Sequence, residues 1–352
     1  MTDPRITGSF LVAEKFDEVR EALREFAQSV NPANNNPNTE PLWELIRDVG
    51  IMRLNVKNMG YEIARAIGTS QISDVPASPP AVKLGWRAST QNDIESAWAA
   101  YWCNQLGVQP LYHRKLWELP YVLHNLWTFG KIAPGKRGLG FGCGEEAIPS
   151  YLASHGVNVV ATDLPPDHES AIGWRNTAQH TDSLDKIWRP HLVTKEKFTQ
   201  HVTLEYVDMN AIPDNLRDFD FCWSICAFEH VGSIEKGLRF IQNSMNTLQS
   251  GGISVHTTEF NFREGPTIDN WGTVLFQQKH FEDLARRLTA TGHRAEPISF
   301  DLGTGRLDRF IDLPPYSDLP STMQDIEKFP AHLKLTVDGF PSTCYGVVVE
   351  KA

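Results

Sequence analysis

Gly140, Gly142 and Gly144 alternate through a turn that an apolar run, Leu139 to Phe141, enters and a helically spaced run leaves. Glycine lets a backbone approach a ligand closely, and an acid about 20 residues on can hold a ribose diol. Asp163 stands there, just past the apolar run Val157–Ala161. Together these residues can bind a nucleotide-type cofactor. A second chemical group is Glu229-His230, shortly after the apolar stretch Leu216–Ser224. A third is His256-Thr257-Thr258-Glu259-Phe260-Asn261, which continues the run Ile253–Val255. Histidine is poised near pH 7 and suits proton transfer. His230 is the first candidate for a base, with helix capping as its structural alternative. His256 is the second, with a backbone-bonded core histidine as its alternative.

The elements that must hold these groups follow from periodicity. Leu139–Phe141 predicts a strand, and Glu145–Ser154 a helix with Ala147, Ile148, Tyr151 and Leu152 on one side. Pro149 falls in its early turns, where proline does least harm, and Gly156 ends it. Val157–Ala161, Val202–Val207, Leu216–Ser224 and Ile253 onward predict further strands, with helices over 234–248 and 278–290. A strand near Pro297–Phe300, a long loop 302–335 and a final strand Ser342–Glu350 close the chain. Ahead of the glycines, helices are expected over 10–30, over 42–67 with an interruption near Gly50 or Gly60, over 92–106, and over 113–129 with a kink at Pro120. Asn31–Pro41 reads as a linker and Thr69–Pro80 as a loop. The expected division is a helical N-terminal region, 1–110, and an α/β domain, 111–352. Polar residues bunched where parallel strands end are where open α/β sheets bind ligands.

Charge discriminates between cofactors. Glu145 and Glu146 stand at the predicted helix N-terminus, where a pyrophosphate would otherwise bind, and no Lys or Arg follows nearby in sequence. Two carboxylates there disfavour a dinucleotide. S-adenosylmethionine (SAM) carries a sulfonium and an ammonium and no phosphate, so an acidic rim suits it.

Gly140-Phe141-Gly142-Cys143-Gly144 followed by Ala161-Thr162-Asp163 resembles the first two motifs of class I SAM-dependent methyltransferases. The resemblance covers roughly residues 110–350 and implies a Rossmann-like sheet with helices on both faces behind a helical N-terminal cap. It also implies cofactor contacts from Gly140, Phe141, Gly142, Cys143, Gly144 and Glu145. Asp163 and Leu164 would hold the ribose, Asp208 and Met209 the adenine, and Ser224 and Ile225 the end of the fourth strand. The acid usual ahead of the glycines is replaced by Gly140; Glu145 or Glu146 would substitute. His230 would be the base, oriented by Glu229, with His256 as alternative. Arg114-Lys115-Leu116-Trp117-Glu118 and the Glu229 and His256–Asn261 segments resemble methyltransferases of polysaccharide and natural-product pathways. That implies O-methylation of a small polar or glycosidic acceptor bound by Glu259, Asn261, Arg114 and Trp117. Glu229, His256 and Glu259 would suit Mg²⁺ if a metal takes part. Phe228-Glu229-His230-Val231-Gly232 is also similar to the cyclopropane fatty acid synthase group, which keeps C-methylation as an alternative beside N-methylation. A non-catalytic SAM-binding subunit and a nicotinamide oxidoreductase are the rivals from other classes.

Composition bounds the partners. The chain has 352 residues and a formal net charge of −10, which argues against nucleic acid and anionic membranes. No apolar run approaches the about 20 residues of a membrane span, and no signal peptide is recognisable. The five cysteines are scattered and without C-x-x-C spacing, which implies a reducing cytoplasm. Packing between copies of the chain is one role open to the N-terminal helices.

Overall fold

The computed structural model describes residues 40–68, 70–168, 179–314, 316 and 331–352. The expected helix over 10–30, most of the linker 31–41, and residues 315 and 317–330 of the loop 302–335 lie outside the described residues. The chain forms two compact units, 1–58 and 59–352. The second reaches back well past residue 111. The segment ahead of the glycine turn adds its own strand to the sheet and buries Trp86, Trp98 and Trp102 in the core.

The strands are β1 Arg87–Ala88, β2 Arg137–Phe141, β3 Asn158–Asp163, β4 Val202–Tyr206, β5 Phe219–Ile225, β6 Leu248–Asn261, β7 Arg294–Ala295, β8 Ile311–Asp312, β9 Lys334–Val337 and β10 Phe340–Glu350. They form one sheet in the order β4-β3-β2-β5-β6-β10-β9-β8, with β1 and β7 also paired to β10. β4, β3, β2, β5 and β6 run parallel, as a Rossmann-like α/β sheet requires, and β10 is antiparallel to β6. β10 contains the final strand expected over Ser342–Glu350. The outer edge of β10 is covered in pieces: β9 on Phe340–Ser342, β1 on Tyr345–Gly346 and β7 on Val349–Glu350. Covering an edge in this way removes a template for aggregation. Near Pro297–Phe300 there is only a bridge, Trp86 to Ile298, and the paired residues are Arg294–Ala295.

Helix boundaries depart from expectation in informative ways. Glu40–Ile67 is one helix that passes through both glycines. Gly60 serves close packing, because a Cβ there would overlap the Phe310 ring. The expected helix 92–106 is two, Gln91–Glu95 and Ala97–Leu106, because Ser96 ends the first and caps the second through Ala99 N–H. Arg114–Thr128 continues through Pro120. The helix after the glycines is only Ile148–Ser154, so Glu145 and Glu146 lie in the preceding turn rather than in its first turn. Ile234–Ser244 begins at the Ser233 cap, and Gln278–Ala290 lies where its spacing put it.

Alternation along the strands sorts their side chains onto two faces. Helix Arg114–Thr128 packs over β5, β6 and β10 on one face. There Gly346 lies against the Tyr121 ring, which leaves no room for a Cβ. On the other face Phe141 meets Phe240 edge-on at 5.1 Å, and Tyr345 stacks on Phe281 at 4.2 Å.

Candidate active site

Strand order reverses direction between β2 and β5: β3 and β4 lie to one side, β5 and β6 to the other. Open α/β sheets bind ligands in the crevice outside such a switch point. The glycine turn leaves β2 there, and Cys226–His230 leaves β5 beside it. Gly142 has φ +58° and Gly144 φ +50°, a left-handed backbone that glycine adopts at no steric cost. A Cβ on Gly142 would lie 2.9 Å from the Ala227 Cβ and 3.6 Å from Met209 Sδ. Three segments far apart in sequence therefore meet: the glycine turn, the end of β4 and the loop after β5.

Asp163 ends β3 and turns its carboxylate onto backbone. It accepts N–H groups from Leu164 at 2.8 Å, Thr181 at 2.9 Å and Gly144 at 3.2 Å. Burial pushes its carboxyl up, and those backbone donors oppose the shift. Its first visible task is to hold the glycine turn against β3. The Leu164 carbonyl accepts from His180 Nε2 at 2.8 Å. Asp208 accepts from Asn210 N–H at 2.8 Å, an Asx turn that presents Met209 to Gly142.

The two acids of the turn have different surroundings. Glu145 faces Lys186 at 4.0 Å, and Arg189 donates to its backbone carbonyl. The rim thus receives cations from residues 186–189, which the local sequence does not reveal. Glu146 turns inward. It accepts from Trp223 Nε1 at 2.6 Å, and burial raises its carboxyl to about 8. Glu146, not Glu145, is the acid enclosed beside the glycines. Cys143 is buried beside it.

The strand ends carry the remaining polar groups. Glu259 on β6 points to the face covered by helix Arg114–Thr128. Arg114 Nη2 lies 2.7 Å from its carboxylate and Lys115 Nζ 3.3 Å. Those cations hold the Glu259 carboxyl down against the opposing effect of burial. One helical turn on, Glu118 is fully buried and accepts from Cys226 Sγ at 2.8 Å and from Cys344 Sγ. Glu229, also fully buried, accepts from Thr258 Oγ1 at 2.9 Å. Several buried atoms here have no hydrogen-bond partner: Glu118 Oε2, Glu229 Oε1, Glu259 Oε2 and Arg114 Nε. Buried polar groups without partners are rare and point to a ligand or water. His230 is one-fifth exposed, with Nδ1 3.0 Å from Gly272 O and Nε2 3.8 Å from Glu229 Oε1. Ile225 ends β5 beside this group.

Five sequence-predicted residues have side chains elsewhere. His256 is a core histidine: Nδ1 meets Ser224 Oγ at 2.7 Å, Nε2 meets Ser254 Oγ at 2.5 Å, and Phe240 and Phe228 lie against it. Burial holds its pKa down at about 3. As an even-numbered residue of β6 it faces away from Glu259, so it is neither a base nor a metal ligand with Glu229 and Glu259. Ser224 is its partner on the same face, and Phe141 packs on Phe240. Trp117 is buried, donates to Asp93 at 3.0 Å and stacks on Tyr121, so it offers no face to a sugar. Asn261 braces the loop after β6 through Arg263 N–H at 3.0 Å and Thr267 Oγ1 at 3.2 Å. Conversely, Lys115, Glu118, Cys226 and Cys344 lie in this group without having been singled out for it, and of the two acids offered for the missing contact it is Glu146 that turns inward. The available signal was the pair Glu118–Arg114 at i,i+4 on a helix face.

No family model and no curated protein matches the chain. Solved structures do match in part. A provisionally assigned sarcosine dimethylglycine methyltransferase from Galdieria sulphuraria is 12% identical over 73% of this chain and 99% of that one, with TM-score 0.39. A SAM-bound phosphoethanolamine N-methyltransferase 2 from Haemonchus contortus is 17% identical over 65% of this chain and 51% of that one, TM-score 0.39. A SAM-dependent methyltransferase from Mesorhizobium loti is 15% identical over 65% and 96%, TM-score 0.35. At such distances the chemistry of the site has to carry any functional conclusion.

Proposed function

We propose that the chain is a SAM-dependent methyltransferase acting on a small polar acceptor. One observation carries this reading: at the switch point, a left-handed glycine turn stands beside an enclosed acid, Glu146, and buried carboxylate oxygens without partners. That environment suits a cationic, phosphate-free cofactor. Gly142 and Gly144 would let the backbone approach it, Glu146 would meet its ammonium, and Met209 would pack on its adenine. Asp163 would reach the ribose from the end of β3. SAM supplies an electrophilic methyl group, and the protein supplies orientation and removes the acceptor's proton. His230 is the base of the proposal, with Glu229 beside it. Arg114 and Lys115 hold Glu259 ready for donors on the acceptor. Oxygen is the proposed acceptor atom, on a sugar or other hydroxylated metabolite. An amine is the second reading, favoured by the unpartnered oxygens of Glu229 and Glu259.

No helix among the described residues is long and apolar enough to cross a membrane. A cytoplasmic location belongs to the proposal and draws on the five free cysteines. So does a role for residues 59–110 in shaping the acceptor side.

Calorimetric titration with SAM and with NAD, run in parallel, tests the cofactor. Saturable SAM binding and weak NAD binding are expected; NAD binding without SAM binding would overturn the reading. Transfer of labelled methyl to a panel of sugars and amines then separates oxygen from nitrogen as the acceptor.

A further inference from the structure

Cys226 and Cys344 lie 118 residues apart in sequence, yet their Sγ atoms are 3.7 Å apart. Cys226 follows β5 and bonds to Thr257 on one side of β6. Cys344 is paired with Glu259 on the other side. The two backbones thus flank an intervening strand. Strands so placed are about 9.5 Å apart, and a disulfide tolerates Cα atoms only to about 7 Å. The thiols converge over β6 without being placed to join. Glu118 descends on the same point from helix Arg114–Thr128, so three donors on three elements meet with their ligand atoms within 4.8 Å of one another.

We propose that Cys226, Cys344 and Glu118 form a binding site for a thiophilic divalent cation, with Zn²⁺ the best match. A tetrahedral ion with Zn–S bonds of about 2.3 Å sets two thiolates about 3.8 Å apart, which the 3.7 Å separation matches. Glu118 Oε2 is fully buried and has no partner. Cys226 has φ +41°, a strained conformation for a residue with a side chain. Such strain persists where surrounding structure enforces it, often at ligand clamps. Binding replaces the two thiol protons, which leave to solvent, and two thiolates with a carboxylate carry three negative charges against the ion's two positive. Lys115, 3.7 Å from Glu118 Oε1, and Arg114 beside it offset the excess. Thiolate donors select against Mg²⁺, so this site differs from the carboxylate–histidine set read from the sequence. Cys226 also lies within 4.8 Å of Glu229 and Glu259, so a fourth coordination position would open toward the acceptor side.

The test uses untagged full-length protein. Zinc is measured by elemental mass spectrometry after dialysis, and Co²⁺ titration is followed by absorbance for a thiolate-to-cobalt charge-transfer band. The expected result is about one zinc per chain and a band. Cys226→Ser and Cys344→Ser should each abolish most of the band, and Glu118→Gln should weaken Co²⁺ binding at least about tenfold. Cys103→Ala, in helix Ala97–Leu106, should leave all three readouts unchanged. SAM calorimetry on the same samples reads the cofactor site separately, so the two proposals fail independently. Should the serine variants not fold, wild type and Glu118→Gln suffice. Wild-type protein with neither stoichiometric zinc nor a band, a band that survives loss of either thiol, or Co²⁺ affinity unchanged in Glu118→Gln would overturn the site and leave a thiol–carboxylate hydrogen-bond network.

Discussion

Strand β6 places two polar, buried groups within four residues of each other and uses them in opposite ways. On one face His256 is bonded through both ring nitrogens to Ser224 and Ser254, and aromatic rings close around it. On the other face Glu259 shares two cations with its neighbours and still leaves one carboxylate oxygen without a partner, as do Glu118 and Glu229 nearby. Burial and polarity alone do not separate a structural residue from a site residue. Whether the protein itself completes the hydrogen bonding does. An unfinished buried network costs stability and is tolerated where something else completes it.

The largest effect that would sharpen this contrast is on turnover. His230→Ala should lower kcat about a thousandfold while urea unfolding shifts little, because His230 is partly exposed. Unchanged turnover at saturating substrate would remove His230 as the base. Arg114→Met comes next. It strips the nearer cation from a buried carboxylate and should cost about 3 kcal/mol in urea unfolding, the low end for such pairs because Lys115 remains. A cost below about 0.5 kcal/mol would mean that Glu259 takes up a proton instead and that the pair is not what fixes this face.

The same contrast explains what the sequence made legible. The parallel core, the glycine turn, the Ser233-capped helix and the 278–290 helix were readable because each has a local signature: period, turn residue or cap. That the sheet would carry helices on both faces came from the resemblance of the glycine and Ala161-Thr162-Asp163 motifs, not from any local signature. What stayed hidden is long-range. Nothing local says that Cys226 and Cys344 meet, or that Arg189 returns to the turn at Glu145. His256 looked as good as Glu259 because both lie in one polar run. Only the parity of an established strand shows that they face opposite ways. Trp117 and Asn261 were drawn toward the site by their residue types, yet Asp93 and the loop after β6 already satisfy them.

His256 tests the finished face. His256→Leu leaves two buried hydroxyls short of a partner and should cost about 2 kcal/mol, with turnover per folded molecule within about twofold of wild type. The pH dependence has a definite sign. In the fold the imidazole stays neutral down to about 3, whereas unfolded it gains a proton near its ordinary 6.5. The unfolded state therefore binds more protons between those values, so stability is full above 6.5 and declines as pH falls toward 3. Unfolding free energy measured across that window should fall less steeply in His256→Leu than in wild type. Equal slopes would mean that His256 is not held neutral. A loss of turnover per folded molecule comparable to that of His230→Ala would erase the distinction between the faces.

The smallest expected effect separates the two adjacent acids of the glycine turn. Burial keeps the Glu146 carboxyl protonated up to about 8, and Trp223 and Cys143 enclose it. A cationic cofactor favours the ionised form, so binding should release a proton. SAM affinity measured by calorimetry should then rise with pH from about 6 to 8, by at most tenfold per unit. Glu146→Gln should flatten that rise and weaken binding about tenfold at pH 8, because the amide cannot ionise. Glu145→Gln should change affinity less than about twofold, since Glu145 is partly exposed and faces Lys186 at the rim. If Glu145→Gln flattened the profile and Glu146→Gln did not, the cofactor's ammonium would sit at the rim. Glu146 would then join His256 as a group whose partners, Trp223 and Cys143, already complete it.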